Sequence, residues 1–261
     1  MDSKLKKIAR TGYVAKGAVY TITGVLTLLA ALGEGGQKAG KFQALDFLEK
    51  QAYGNAILIV MAIGLLCYVV WRGIQLFQDP ENIGSDKKGK IKRVAFGVSA
   101  VIYLALAVSA VMKVINAGGS SGGSGSKSPD FMTGQIGVII FAIIGVCVIG
   151  AGINQIKKAY TKSFLQKFDY KSISEEKRRK TIKNTGLMGL IARGVIFFIL
   201  GYFFIRAAME SNTSDIKSTT DAFSFIQESS YGQYLLGAVA AGLVCYGIYM
   251  FMMAKYRKFK A

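Results

Sequence analysis

The chain of 261 residues contains no histidine. This absence removes the usual ligand of haem and of most zinc sites, and the usual base of nucleophilic triads. The chain also lacks a Gly-x-x-x-x-Gly-Lys-Ser/Thr phosphate loop and a Gly-x-Ser-x-Gly nucleophile elbow. We therefore expect no enzyme activity, no catalytic residue, no metal site and no cofactor.

Acidic residues are also scarce, with 15 Asp and Glu against 33 Lys and Arg, which gives a net charge of +18. None of the acidic residues falls in the middle of a long apolar stretch. Proton relays in membrane transporters commonly use buried carboxylates. The sequence therefore argues against proton-coupled or sodium-coupled transport.

Apolar residues are abundant, at 52% of the chain with a mean hydropathy of +0.37. A helix of about 20 apolar residues crosses a hydrocarbon core of about 30 Å, and long continuous runs favour helices over the alternating strands of a barrel. The sequence predicts an all-α polytopic membrane protein. We place its six spans near Tyr13–Leu32, Ala56–Leu76, Val94–Ile115, Ile136–Ile156, Leu187–Met209 and Tyr234–Ala254.

Basic residues concentrate on one side of these spans, which holds 26 of the 33. The positive-inside rule then places both termini, and the loops after the second and fourth spans, in the cytoplasm. We expect membrane lipids, including the anionic inner leaflet, as partners, and no nucleic acid, because short juxtamembrane loops account for the charge. The basic segment Lys157–Lys183 is either a solvated loop or an amphipathic helix on the leaflet.

An internal repeat organises the chain. Two hairpins at residues 10–80 and 187–256 match closely, a divergent third lies at 93–160, and a basic linker fills 161–186, all within one membrane domain of residues 1–261. Each hairpin begins and ends in the cytoplasm, so the copies are parallel. We expect a pseudo-threefold bundle. The clearest equivalences are Gly12 with Gly189, Lys16 with Arg193, Tyr20 with Phe197 and Tyr68 with Tyr246. In the middle copy, Tyr103 occupies the position equivalent to Tyr20.

The outer loops differ between the copies. Ala44–Leu48 and Ala222–Ile226 each read as a short amphipathic helix that rests on the bundle or on the outer leaflet. The middle copy has a Gly- and Ser-rich stretch at residues 118–126 instead, which is typical of a flexible linker.

Charged and polar residues near the span ends are the candidate site residues. Lys16, Arg193 and Arg72 are candidates for binding an anion or a lipid headgroup, although long basic side chains also snorkel to the interface for structural reasons. Further polar candidates at span ends are Gln75, Asn154 and Gln155. Small residues allow close helix packing, and the candidates for that role are Gly17, Gly24, Gly194, Gly201, Gly64 and Gly242.

A further set of motifs lies along the first hairpin, at Ala9–Gly17, Ala31–Gly33, Ala44–Leu48, Tyr53-Gly54, Gly64–Arg72 and Asp79-Pro80. With these motifs the chain resembles the bacterial integral membrane family called domain of unknown function 1206. The resemblance implies a chain of three tandem two-helix units. It implies a fold and a bacterial membrane, and no activity.

Two functional hypotheses follow. The first is a non-enzymatic scaffold or accessory subunit whose loops bind protein partners or a second copy of the chain. The alternative is a passive channel, transporter or lipid-handling protein with a basic cytoplasmic mouth. A bundle axis filled with Leu, Ile and Phe would favour the first. A water-accessible central channel, or a lateral groove lined by Gln75, Asn154 and Gln155, would favour the second.

Overall fold

A computed structural model of the chain describes residues 3–36, 38, 40–84, 86–115, 135–169, 173, 175–209, 219–228 and 231–259. Across those ranges the secondary structure is helical, apart from one isolated β-bridge between Phe168 and Arg257. The all-α prediction is confirmed. The predicted Gly- and Ser-rich linker at residues 118–126 lies outside the described residues.

Six long helices are apolar and long enough to cross a membrane, so the prediction of six spans is confirmed. Two short helices lie between them, at the places where the sequence predicted amphipathic segments. In chain order the helices are α1 (Ser3–Leu32), α2 (Lys41–Glu49), α3 (Gly54–Phe77), α4 (Lys87–Ile115), α5 (Gln135–Tyr160), α6 (Glu176–Met209), α7 (Thr219–Gln227) and α8 (Gly232–Tyr256).

The long helices pack most extensively between copies of the repeat. α1 packs on α8, α4 on α3, and α6 on α5, so the first helix of each copy lies against the second helix of another. α1 also packs on α3, and α6 on α8, as hairpins. In the middle copy, α4 instead packs on α3, and α5 packs on α6. The pseudo-threefold arrangement therefore stays a prediction.

The first and third hairpins share the same close contact between helices. A Cβ atom on Gly12 would lie 2.6 Å from the Cα of Tyr68, and one on Gly189 would lie 2.5 Å from the Cα of Tyr246. No side chain fits at such distances, so glycine lets each pair of backbones touch. Gly64 meets Ala15 in the same way that Gly242 meets Ala192.

The other predicted packing glycines lie where different copies meet. Gly17 and Gly24 face α8, while Gly194 and Gly201 face α5. A Cβ on Gly24 would lie 2.7 Å from the backbone nitrogen of Val244. The equivalent glycines of two copies thus serve equivalent helix contacts.

The loop after α1 turns back into the bundle. Glu34 donates its backbone N–H to Leu29 at 3.0 Å, and the carbonyl of Gly40 accepts from the hydroxyl of Thr23 at 3.4 Å. Thr23 lies roughly 13 Å from the C-terminal end of α1, at 1.5 Å per residue. α2 starts at this depth and runs back along α4, where Lys113 pairs with Asp46 and Glu49, each at 2.7 Å. α2 therefore lies within the depth of the helix bundle.

The basic linker packs under the bundle. A single 3₁₀ turn, Ser163–Lys167, is followed by a bridge to the chain after α8. Phe164 and Phe168 are buried, and their rings lie 5.6 and 5.7 Å from that of Tyr249. For these residues both expectations, a solvated loop and a leaflet helix, were wrong, because their aromatic side chains reach the base of α8.

Candidate functional site

Four tyrosines meet inside the bundle, one from each of α1, α3, α4 and α8. They are Tyr20, Tyr68, Tyr103 and Tyr246, and none is more than 5% exposed. The rings of Tyr20 and Tyr246 pack edge to face with centroids 4.7 Å apart, as do those of Tyr68 and Tyr103. Tyrosine supplies both an apolar body and a hydroxyl group. The cluster is thus a closed polar centre, here called the tyrosine cage.

Lys16 points into the tyrosine cage. Its side chain is 4% exposed, and its ammonium donates to the hydroxyl of Tyr68 at 2.8 Å. It also lies 4.7 to 5.9 Å from the centroids of all four rings, within the range of cation–π attraction. Because α1 begins at Ser3, Lys16 lies roughly 20 Å along the helix at 1.5 Å per residue. Lys16 therefore does not snorkel to the interface.

Arg193 makes the equivalent interaction in the third copy. Its guanidinium donates to the hydroxyl of Tyr246 at 2.5 Å and lies 4.4 Å from the ring centroid. Lys16 lies 5.7 Å from the same centroid, so the two charges are separated by at most about 10 Å. The Nε of Arg193 is buried and has no hydrogen-bond partner among the described residues.

The N-terminus of α2 faces the same place. Lys41 lies 5.6 Å from the rings of both Tyr20 and Tyr103. The N-cap residue of this helix is Gly40, which provides no side-chain oxygen to cap the N–H groups of the first turn. Such groups and the helix dipole make a helix start attractive to anions.

The charges around the tyrosine cage are all of one sign. The charged residues that act most strongly on Lys16 are Arg193, Arg72, Lys41 and Lys167. Within the described part of the chain, Lys16, Lys41, Arg72 and Arg193 form no ion pair. A cavity of about 30 Å³ adjoins Lys41 and Arg193, enough for one or two water-sized groups. Its lining is Tyr20, Thr23, Lys41, Arg193, Ile196, Phe197 and Leu243.

A chain of hydrogen bonds leads from the tyrosine cage to the basic side of the bundle. Arg72 donates to Tyr68 and, at 2.7 Å, to the amide oxygen of Gln75. Gln75 in turn donates to the carboxylate of Glu81 at 2.5 Å, and Arg257 donates to that carboxylate as well. Lys16 is thereby connected to Arg257 through polar groups alone.

A second, larger cavity of about 230 Å³ lies at this basic side of the bundle. Arg257, 6% exposed, donates to Tyr13 and to Glu81 and lies 5.4 Å from the ring of Trp71. Burial lowers the pKa of Arg257 to about 9, so the group remains charged at neutral pH. Burial also lowers the pKa of Lys167, and the charge of Glu81, 3.9 Å away, opposes that shift. The lining is Trp71, Pro80, Glu81, Ser163, Gln166, Lys167, Arg257, Lys258 and Phe259.

The structure brings together some of the candidates from sequence and separates others. Lys16, Arg193 and Arg72 all contact the tyrosine cage, and Gln75 is buried on the path from it. Asn154 is exposed and Gln155 half-buried on α5, and neither lines either cavity.

Sequence reasoning missed three charged residues: Lys41, Glu81 and Arg257. Lys41 stands one position before the apolar pattern of a short helix, and Glu81 follows the helix stop at Asp79-Pro80. Those positions were the available signals, but nothing local shows that either side chain turns inward.

Taken together, the helices and the buried polar centre define a polytopic α-helical membrane protein built from repeated two-helix hairpins. The family model described as Domain of Unknown Function (DUF1206) matches three times, at residues 11–75, 94–162 and 188–257. The chain belongs to this family, and the predicted tripled repeat is confirmed.

A relative in Bacillus subtilis (strain 168), the uncharacterized protein YxxB, is similar along almost the whole chain. It is 30% identical over 253 residues, which cover 97% of this chain and 91% of the relative. No solved structure matches the chain.

Proposed function

We propose that this protein is an anion-binding protein of the bacterial inner membrane that passes a small anion across it, without catalysis. In this proposal both termini are cytoplasmic, and the three hairpins surround a pseudo-threefold axis on which the tyrosine cage lies. The concentration of basic residues on one side supports the orientation. The matching contacts between copies support the axis.

The observation that carries the proposal is the cluster of inward-facing cations that have no carboxylate partner among the described residues. Burying a charge costs several kcal/mol unless it is paired. Here Lys16, Lys41 and Arg193 lie around the same rings, and the positive end of α2 adds to their field. A bound anion would relieve this repulsion, and the tyrosine hydroxyls would donate to it.

The size of the cavity beside the tyrosine cage limits the anion. About 30 Å³ admits a halide or another anion of a few atoms, and no large headgroup. Lys16, Lys41 and Arg193 come from separate elements, so their combined positive charge attracts anions of any shape. The volume of the cavity then determines which anions fit.

The polar chain from Lys16 to Arg257 supports passage rather than binding alone, since it joins the tyrosine cage to the larger inner cavity. In the conformation described, the tyrosine cage is closed, so passage requires the rings to move. Tyrosines and cations meet inside the bundle beside Ile196, Phe197 and Leu243. This buried polar centre supports the conduit over the scaffold.

Anion efflux from liposomes tests the proposal. Purified protein is reconstituted into vesicles loaded with chloride or iodide, and efflux is recorded with valinomycin present to balance charge. We expect efflux above that of empty vesicles, reduced at least tenfold by Lys16→Met/Arg193→Met. A matched control, Lys7→Met/Arg10→Met, removes two exposed charges from the start of α1 and should retain the efflux. Efflux equal to that of empty vesicles would refute passage, and equal loss in both double variants would refute the assigned site.

A further inference from the structure

We propose that the inner cavity is a second anion site, one that takes a small oxyanion such as a carboxylate or inorganic phosphate, and that Glu81 occupies it in the closed form. The role of this site as the entrance to the polar path from Lys16 to Arg257 rests on the proposed function. Its binding of an oxyanion is tested independently of anion passage.

The carboxylate of Glu81 is itself an anion held by the cavity wall. It accepts from the amide of Gln75 at 2.5 Å and from Arg257, and the ammonium of Lys167 lies 3.9 Å away. Two hydrogen-bond donors, from α3 and from the chain after α8, and one ammonium group from the linker thus converge on one carboxylate. The same groups would hold a free oxyanion if Glu81 moved aside.

The cavity has room and charge for such an anion. Its volume is about 230 Å³, and it is lined by Lys167, Arg257 and Lys258 with Glu81 as the acidic member of the lining. The hydroxyl of Ser163 and the amide of Gln166 add hydrogen-bond donors. With Glu81 in place the lining keeps two excess positive charges, which attract a free anion from the cytoplasm.

Glu81 can leave without unfolding the site. Its side chain is 24% exposed, and it belongs to the turn after α3 rather than to a long helix. The side chain of Arg257, in contrast, is 4% exposed and fixed by Tyr13, so the cation stays while the carboxylate moves. An incoming anion therefore competes with Glu81 for Arg257, and this exchange would open the route toward Gln75 and Arg72.

The single tryptophan of the chain reports on this cavity directly. Trp71 lines it, and its indole donates to Tyr13, which also accepts from Arg257. We would titrate purified protein in neutral detergent with sodium acetate and sodium phosphate at constant ionic strength, following Trp71 emission. A parallel titration with phosphatidylglycerol micelles separates a lipid headgroup from a free anion as the source of the oxyanion.

We expect Glu81→Gln to tighten the apparent affinity for acetate or phosphate about tenfold, because removal of a competing charge at close range strengthens anion binding. Lys167→Gln should weaken it several-fold. Asp86→Asn is the matched control, since it removes the same charge from the same loop, is exposed, and keeps an acceptor for the N–H of Gly89. Its affinity should equal that of the unaltered protein.

An unchanged midpoint in both Glu81→Gln and Lys167→Gln, with circular dichroism showing intact helices, would overturn this site. A response to phosphatidylglycerol alone would support the site and assign it to a headgroup. Lys16→Met/Arg193→Met should leave the Trp71 titration unchanged. If vesicles show no anion efflux while the Trp71 titration gives the expected shifts in affinity, the path is refuted and the inner anion site is supported.

Discussion

Replacement of Lys16 by methionine should stabilise the protein while removing its response to anions. Methionine keeps the length of the side chain and removes the charge. The substitution removes one charged hydrogen bond to Tyr68, worth about 1.5–3 kcal/mol. It also removes cation–π interactions with four rings at 4.7 to 5.9 Å, about 0.5–1 kcal/mol each. These favourable interactions together come to about 5 kcal/mol.

The unfavourable terms are larger. Lys16 shares ring contacts with Arg193, Arg72 and Lys41, which places each of them within about 11 Å. At an effective dielectric of about 20, each repulsion amounts to about 1.5 kcal/mol, and burial of the ion costs several kcal/mol more. Allowing for relaxation, we expect Lys16→Met to gain about 2–3 kcal/mol, or about 5–10 °C in Tm for a chain of this length.

Thermal unfolding in detergent, followed by circular dichroism with and without chloride, measures both effects. Chloride at a hundred times its Kd should stabilise the unaltered protein by about 2.7 kcal/mol, and it should barely affect Lys16→Met. The control is Lys113→Met, because Lys113 is paired with Asp46 and Glu49 and its loss should cost up to about 1 kcal/mol. A lower Tm for Lys16→Met, or an undiminished chloride shift, would refute the reasoning.

Three further predictions concern packing, the start of α2 and topology. Gly12→Ala should cost about 2–4 kcal/mol by forcing backbones apart, whereas Gly150→Ala, with open space around it, should be neutral or slightly stabilising in the same melts. Gly40→Asp should cap α2, gain about 1 kcal/mol and abolish anion efflux, because its carboxylate would occupy the anion's place; retained efflux would contradict this. In a chain with its three cysteines replaced by alanine, an impermeant thiol reagent should label Tyr53→Cys in intact cells and Lys177→Cys only in inverted vesicles; the reverse pattern would overturn the orientation.

The helices and the repeat could be predicted from sequence because their signals are local. Apolar runs predicted the six spans, and the spacing of Gly17 from Gly24 and of Gly194 from Gly201 predicted glycine faces that pack closely on other helices. Even the short helix at Ala44–Leu48 was visible as an apolar pattern, and its observed extent is Lys41–Glu49.

The depth of that short helix could not be predicted. An amphipathic segment of nine residues reads the same on a leaflet or inside a bundle, and only the return of the chain to Thr23 decides between them. The same limit applies to Lys16, whose distance from a helix end depends on where α1 begins. Lys16 belongs to the site because it contacts tyrosine rings from helices far apart in sequence. Such contacts produce no pattern in the sequence around Lys16.

The packing of α1 on α8 has a consequence for biogenesis. α1 leaves the ribosome first, yet the helix that covers its glycine face is made about 200 residues later, or roughly 10–40 s at usual rates of synthesis. During that interval Lys16 and the seam at Gly17 and Gly24 lack their lasting neighbours. A nascent chain that stops before α8 therefore leaves Lys16 and the glycine face of α1 without the helix that covers them.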